Sequence, residues 1–150
     1  MTRGEVEEYL RKHIPLSAGM DIAVVAAGPG GVSIEVPLGP NVNHRSTAFG
    51  GSVAALAILA GWTLVHVRLR DEGLVTHTVI QSSALRYDAP IHGTFSAVTE
   101  PVEAEAWDRF TRTIRRRGKG RVRVSASVRS EGRRAATFTG AYVAFRVPRL

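Results

Sequence analysis

The stretch that decides the fold spans residues 43–62 and reads NHRSTAFGGSVAALAILAGW. From residue 49 to about residue 70 the large apolar residues recur at helical spacing, and alanine and glycine fill most of the positions between them. A helix that is apolar on every side is buried. The sequence therefore predicts a long core helix that begins at Phe49, Gly50 or Gly51.

A membrane span is the alternative interpretation of the same apolar segment. Its apolar part runs only over residues 53–67, and even this part includes Gly61, Thr63 and His66. A span needs roughly 20 predominantly apolar residues. The length of the segment therefore favours a core helix, and we expect no membrane partner.

Shorter elements are expected on both sides of this helix. Val6, Tyr9 and Leu10 share one face of a short amphipathic helix, which must end before Pro15 because proline disfavours a helical residue ahead of it. Residues 21–27 and 31–38 are rich in strand-forming residues, and GPGG between them is a hairpin turn. Residues 74–90 and 93–102 predict two further strands.

The last part of the chain predicts a helix and a hairpin. Residues 103–118 carry an apolar stripe at helical spacing, with expected ion pairs between Glu105 and Arg109 and between Asp108 and Arg112. Valine and alanine alternate strictly with arginine and serine over residues 121–129, and residues 133–145 complete the hairpin. Runs of antiparallel strands around one apolar helix predict an α+β fold, as one domain over residues 1–150.

Composition narrows the chemistry. The chain has no cysteine, which excludes disulfides, thiol catalysis and thiolate metal sites, and its histidines show no ligand spacing. Residues 1–15 lack the apolar run of a signal peptide, so we expect a cytoplasmic protein. The net charge is +7, concentrated in residues 112–124, which indicates either a solvated face or an anionic partner. Nucleic-acid binding ranks lower, because no exposed aromatic residues are interleaved with these charges.

Four segments, taken in order, resemble the hotdog-fold thioesterases. They are IPLSAGMDIAVV, PLGPNVNHRSTAFGGSVAALAILAGW, LRYDAPIHGTFSAV and GKGRVRVSASV, and they are most similar to the thioesterase domain at the carboxyl terminus of YiiD-like proteins. The resemblance implies an antiparallel sheet wrapped around a long central helix. It also implies an acyl-thioester hydrolase that acts on coenzyme A or acyl-carrier-protein thioesters, with coenzyme A or phosphopantetheine entering only as part of the substrate. A non-catalytic acyl-thioester binding domain is the alternative.

The start of the central helix is the expected site. The first backbone N–H groups of a helix have no partner within it, and the helix dipole makes this end partially positive. A thioester carbonyl placed against the amide of Gly50 or Gly51 would have its developing oxyanion stabilised by these donors. The resemblance implies the same arrangement.

The resemblance also implies polar residues near this start, and here the sequence departs from the family pattern. Related thioesterases place an asparagine or glutamine six residues before a His-Gly-Gly motif, which carries over to Asn43, although a turn-forming role for Asn43 is equally consistent with the sequence. Phe49 stands where the histidine is frequent. Ile58 stands where a carboxylate is expected, so the group that activates water is unassigned.

The remaining candidate residues follow from position and type. Ser52 would orient water or cap the helix, and His44 would act as an acid, a base or a phosphate ligand. Ser82 and Ser83 lie in a strand that pairs across the two-fold axis in hotdog dimers, so they would either reach the partner's site or bond between strands. The expected phosphate contacts are Lys119, Arg121 and Arg86.

Assembly and pocket size are the last expectations. The strand within residues 76–87 carries β-branched and polar residues without the prolines or lysines of a protected edge, so we expect a homodimer or a dimer of dimers. The packing of Trp62, Tyr87 and Phe95 is expected to set the size of the acyl pocket.

Overall fold

The computed structural model describes residues 1–148. Its elements are α1 (Arg3–His13), α2 (Pro15–Gly19), β1 (Ala23–Gly28), β2 (Gly31–Val36), a 3-10 turn (Gly39–Asn41), α3 (Gly50–Asp71), β3 (Thr76–Tyr87), β4 (Phe95–Thr99), α4 (Ala104–Arg117), β5 (Lys119–Ser130) and β6 (Arg133–Arg146). Apart from α2 and the 3-10 turn, which were not predicted, this order of elements matches the one predicted from the periodicities.

The strands form a six-stranded sheet in the order β1-β2-β4-β5-β6-β3, with antiparallel neighbours throughout. α3 packs against one face of this sheet and contacts every strand. The apolar residues that alternate along β5 are buried beneath it, as predicted, namely Val122, Val124, Ala126 and Val128. The expected α+β hotdog architecture is confirmed.

Helix α3 is longer than its uninterrupted apolar part. It has 22 residues, and by length and composition alone it could cross a membrane, with a mean hydropathy of 1.6 over its most apolar window. The argument against a span that rested on length was therefore wrong. Within residues 1–148, 61% of that window is buried inside the fold, so packing in the core accounts for the apolar character of α3.

Helix α4 extends the core at the carboxyl end of α3. Its stripe of Trp107, Phe110 and Ile114 is buried, and the Trp107 indole donates a hydrogen bond to the Glu72 carboxylate at 2.8 Å. The Arg68 guanidinium lies 4.0 Å from the Trp107 ring centroid. The ion pairs expected along α4 do not form among residues 1–148. Their side chains are exposed, where an ion pair gains little over separate hydration.

Gly61 is the point of closest approach between α3 and the sheet. The Tyr142 hydroxyl donates a hydrogen bond to the Ile58 carbonyl at 2.7 Å, and a Cβ at Gly61 would overlap that hydroxyl and the adjacent ring carbons. Both Gly61 and Tyr142 are buried. Only glycine fits at this position without moving the ring.

Gly61→Ala is therefore expected to destabilise the protein by about 1–3 kcal/mol, the usual cost of overpacking a core. Chemical denaturation measures the change. Tyr142→Phe removes the overlapping hydroxyl, so the double variant should recover part of the loss. A double variant whose loss equals the sum of the two single losses would show that the hydroxyl is not the source of the strain.

His66 on α3 lies in an aromatic stack. Its ring is 4.8 Å from Tyr9 and 4.8 Å from Trp62, measured between ring centroids. Its Nε2 is buried and makes no hydrogen bond within residues 1–148. Burial, followed by the charge of Arg70, lowers the pKa of His66 to about 4.

The stability of the protein is therefore expected to fall as the pH drops from 6.5 towards 4. In this window the unfolded chain binds a proton at His66 that the folded chain does not, so lower pH favours unfolding. His66→Phe keeps an aromatic ring in the stack and removes the titration. The difference in Tm between pH 7 and pH 5 should shrink in this variant; an unchanged difference would assign the pH dependence to other groups.

The two outer strands of the sheet, β1 and β3, differ in whether their outer edge is covered. On the β1 edge, α1 covers the backbone: the Val24 N–H donates to Glu7 Oε1 at 2.8 Å, and Arg3 Nη1 donates to the Val24 carbonyl at 3.3 Å. The β3 edge is 12 residues long and has no neighbouring strand within residues 1–148. Only the β3 edge is thus open over its full length for pairing with another strand.

Candidate active site

The start of α3 presents two free backbone donors. Phe49 is the N-cap residue, and its carbonyl accepts the N–H groups of Ser52 at 2.9 Å and Val53 at 3.1 Å. The N–H groups of Gly50 and Gly51 have no acceptor in the described chain, residues 1–148. Gly51 is exposed. Two donors at the positive end of a long helix can therefore bind an incoming carbonyl oxygen.

The loop ahead of the helix is fixed by the core. The Phe49 N–H donates to the Asn41 carbonyl at 2.7 Å, and the Ala48 N–H donates to the Ile91 carbonyl at 2.9 Å. The buried Asn41 side chain donates in turn to the Met20 and Pro37 carbonyls, both at 2.9 Å. These bonds hold the helix start in place before any ligand binds, which is the condition for electrostatic preorganisation.

Asn43 lies in this loop with its side chain fully engaged. Its Oδ1 accepts the N–H groups of Arg45 at 2.8 Å and Thr47 at 3.1 Å. Its Nδ2 donates to Thr47 Oγ1 at 2.7 Å and to the Ala48 carbonyl at 3.4 Å. In this structure Asn43 therefore organises the turn that leads into the helix. Direct contact of Asn43 with a carbonyl or water stays a prediction.

The other predicted residues near the helix start are only partly brought together. Ser52 is half-buried in the first turn, and no side chain caps the helix at Phe49. His44 is exposed in the loop. Ser83 pairs with Gly140 and faces α3, whereas Ser82 pairs with Ala141 and faces the opposite side of the sheet. Of the two β3 serines, only Ser83 lies on the side of the helix.

Tyr87 was expected in the wall of the acyl pocket, and its position at the helix start was not predicted. Its hydroxyl donates a hydrogen bond to the Gly50 carbonyl at 2.8 Å, and its ring lies beside Gly50. The side chain is 56% exposed, so it borders the site rather than the core. Alternation along β3 places Tyr87 on the face of Ser83, and that placement was the available signal.

An apolar cavity of about 280 Å³ opens along the same side of α3. Its lining includes Ala55, Ile58 and Trp62 from α3, Ile80 from β3 and Ser17 from α2, together with Ile14, Leu16, Met20 and Leu59. Ile58 therefore lies in the wall of this cavity, and none of the side chains that line the cavity is ionisable. Trp62 lines the pocket as expected. Phe95 is buried in the core and Tyr87 lies at the helix start, so neither borders this cavity.

The predicted phosphate contacts lie away from the helix start. Arg121 donates to Gln81 Oε1 at 3.0 Å, on the face of the sheet opposite α3, and Lys119 lies further along β5. Through β6, Arg121 aligns with Val79 of β3, which is ~26 Å along that strand from Tyr87 at 3.3 Å per residue. Arg86 neighbours Tyr87, but it faces away from α3 and lies 3.5 Å from Asp88. One chain therefore does not bring these cations to Gly50.

No group of three His, Asp or Glu side chains suitable for a metal occurs in the described part of the chain.

The family model described as "Putative thioesterase (yiiD_Cterm)" matches residues 3–146. The chain belongs to this family. Its match covers the loop, α3 and every strand, so the YiiD_C family assignment applies to the whole candidate site.

Solved structures share the fold of this YiiD_C family member. A protein of unknown function from Chlorobaculum tepidum TLS has a TM-score of 0.90 at 24% identity, over 97% of this chain and 94% of that one. A "putative thioesterase" from Shewanella oneidensis has a TM-score of 0.84 at 26% identity, over 97% of each chain. A thioesterase from Haemophilus influenzae has a TM-score of 0.78 at 12% identity, over 99% of this chain and 94% of that one.

Proposed function

We propose that this member of the family hydrolyses acyl thioesters of coenzyme A or an acyl carrier protein. The observation that carries the proposal is the pair of free N–H groups at Gly50 and Gly51, next to an apolar cavity. The thioester carbonyl oxygen accepts from these donors, which stabilise the negative charge that develops there when water adds. Water attacks the carbonyl carbon, the carbon–sulfur bond breaks, and the thiolate leaves with a proton from the water.

The acyl chain occupies the apolar cavity. Ala55, Ile58 and Trp62 extend along α3 from the helix start, so a chain bound at Gly51 passes directly into the pocket. From Gly51 to Trp62 the helix rises ~16 Å at 1.5 Å per residue. This length suits an extended acyl chain of medium length. An apolar wall disfavours acyl groups with a charged end.

The polar side chains at the site serve to orient the reactants. Tyr87 fixes the Gly50 carbonyl, and Ser52 and His44 lie at the same end of α3. We propose that one of the last two contacts the attacking water, since Ile58 replaces the expected carboxylate. An imidazole nitrogen can accept a proton from water, so His44 is the candidate base of the two.

Assembly as a dimer would complete the site. The open β3 edge can pair with its copy, and an antiparallel pair places the start of one β3 beside the end of the other. Lys119 and Arg121 align through β6 with the start of β3, so in the second chain they lie level with the helix start of the first. Ser83 lies in the second half of β3 and stays nearer the helix start of its own chain. We propose that Lys119 and Arg121 contact the carrier phosphates in that arrangement. A dilute-solution mass equal to one chain, with full activity, would refute it.

A non-catalytic acyl-thioester binding domain is the second candidate, and Ile58 favours it because the helix supplies no acid. Steady-state cleavage of a panel of acyl-coenzyme A thioesters, from acetyl to palmitoyl, separates the two candidates. The hydrolase proposal expects turnover with a preference for medium chains. Saturable binding of the same thioesters without turnover would contradict the hydrolase proposal and support a non-catalytic binding domain.

Ala55→Leu is expected to shorten the preferred acyl chain. Leucine at this position would fill part of the cavity, and each displaced methylene of the acyl chain costs about 1–3 kcal/mol. The kcat/KM for the medium-chain substrate should therefore fall by about 10-fold, while hydrolysis of acetyl-coenzyme A should be unaffected. The same panel measures the change. Ala18→Leu, on the exposed side of α2, is the matched control. A uniform loss over all chain lengths would place the acyl group elsewhere.

A further inference from the structure

One half of β5 has no strand beside it on the side of β4. β4 pairs only with the second half of β5, from Ala126 to Arg129, and the last backbone bond on this side joins the Glu100 N–H to the Ser125 carbonyl at 2.8 Å. Before Ser125, no strand within residues 1–148 continues the sheet on this side. The first half of β5 is therefore an internal edge of the sheet.

The backbone groups of Arg121 and Arg123 point out of this edge. In an antiparallel ladder, the N–H and C=O of one residue both point to the same neighbour, and the direction alternates from residue to residue. The Ser125 carbonyl points away from β6, and the pairing of β5 with β6 is regular from Lys119 to Val128. Arg123 and Arg121 therefore also point away from β6, and their backbone groups have no hydrogen-bond partner in the described chain.

A cationic groove of about 540 Å³ lies between this edge and α4. Arg109 and Thr113 border it from α4, and Arg123 borders it from β5; no acidic residue belongs to its lining. The Arg121 guanidinium is directed to Gln81, so Arg121 offers the groove mainly its backbone. From Ala106 to Thr113 the helix side of the groove is ~10 Å long, room for about three extended residues.

The groove edge of β5 differs in charge from the outer edges at β1 and β3. The β1 edge is covered by side chains of α1, and β3 carries one formal charge, Arg86, along its length. The groove edge is short and cationic, so it repels a second copy of itself. An incoming strand with acidic side chains would both pair with the free backbone groups and neutralise the arginines.

We propose that this groove binds an extended acidic segment of a partner protein, which adds to β5 as a strand. Its backbone pairs with Arg121 and Arg123, and its carboxylates contact Arg109 and Arg123. Within one chain the groove is separate from the helix start, because α4 packs at the carboxyl end of α3. The acidic segment pairs with the Arg121 backbone, whereas the phosphate contact proposed above uses the Arg121 side chain. Binding there can be measured without thioester turnover.

The probe is a fluorescently labelled, end-blocked octapeptide of alternating glutamate and threonine, followed by anisotropy. We expect saturable binding that weakens at least about 10-fold in Arg109→Glu/Arg123→Glu. Arg133→Glu/Arg134→Glu changes the net charge equally at the distant β5–β6 turn and should leave the affinity unchanged. Hydrogen exchange should slow at the Arg121 and Arg123 amides, and not at the Val122 amide, which already points to β6.

Three results would overturn the proposal. A peptide methylated on alternate backbone nitrogens that binds as tightly would show that no strand pairing occurs. Equal weakening by the control pair at Arg133 and Arg134 would show that only net charge matters. A single-stranded oligonucleotide of equal charge that binds more tightly, and depends on Arg109 and Arg123, would make this a nucleic-acid groove.

Discussion

Gly51→Val is expected to lower turnover by ~10²–10³-fold while the protein stays folded, which is the scale seen when one oxyanion donor is lost. A Cβ at Gly51 would overlap the Phe49 ring, which is 56% exposed, so the ring has to move to make room for it. The branched side chain also crowds the Gly51 amide and prevents close approach of the thioester.

The measurement pairs steady-state thioester cleavage with a thermal melt. Gly4→Val is the matched control, because Gly4 is the second helical residue of α1, as Gly51 is of α3, and a Cβ at Gly4 would meet no atom within 4 Å. The control should melt with a similar shift and keep full turnover. If Gly51→Val also turns over at the parent rate, the helix start is not the oxyanion site.

Asn43→Ala is expected to lower turnover by about 10²-fold, because the loop that sets the helix start loses its internal bonds. The side chain bonds to Arg45, Thr47 and Ala48, and their loss should cost about 1–3 kcal/mol of stability. Asn43→Asp keeps both acceptor bonds and loses the two donor bonds. A role limited to the turn predicts that the Asn43→Asp variant retains most activity, whereas contact with the carbonyl oxygen requires the amide donor.

Unchanged turnover in a folded Asn43→Ala variant would remove Asn43 from the mechanism. If Asn43→Ala remains folded and cleaves thioesters at the parent rate, the chemistry needs neither the Asn43 side chain nor the turn bonds that it makes. Ser52, Ser83 and His44 are then the next side chains to replace. Thermal melts of each variant keep the loss of chemistry distinct from the loss of folding.

The fold could be predicted because its signals are local. The alternation of Val122, Val124 and Val128 with polar residues identifies a half-buried strand, and the run that follows Gly50 identifies a buried helix, without any knowledge of what packs against either. The family resemblance supplied the arrangement of these elements, and the sheet order agrees with it.

The side-chain layout of the site could not be predicted, because it depends on register. The pairing of β3 with β6 shifts between Ile80 and Ser82, and a shift of one residue moves the following side chains to the other face. This irregularity decides that Ser83 and Tyr87 face α3, while Ser82 and Arg86 do not. The hydrogen bonds of Asn43 depend on the path of a loop, for which the sequence carries no periodic signal.

The packing of α3 against the sheet has a consequence for synthesis of the chain. The strands β5 and β6 that cover the helix are made later: about 75 residues separate the end of α3 from the end of β6. At 5–20 residues per second the ribosome needs ~4–15 s to add them. During that time the apolar residues of the 22-residue helix α3 lack the two strands that later cover them. We therefore expect the nascent chain to depend on a holding chaperone until β6 leaves the ribosome.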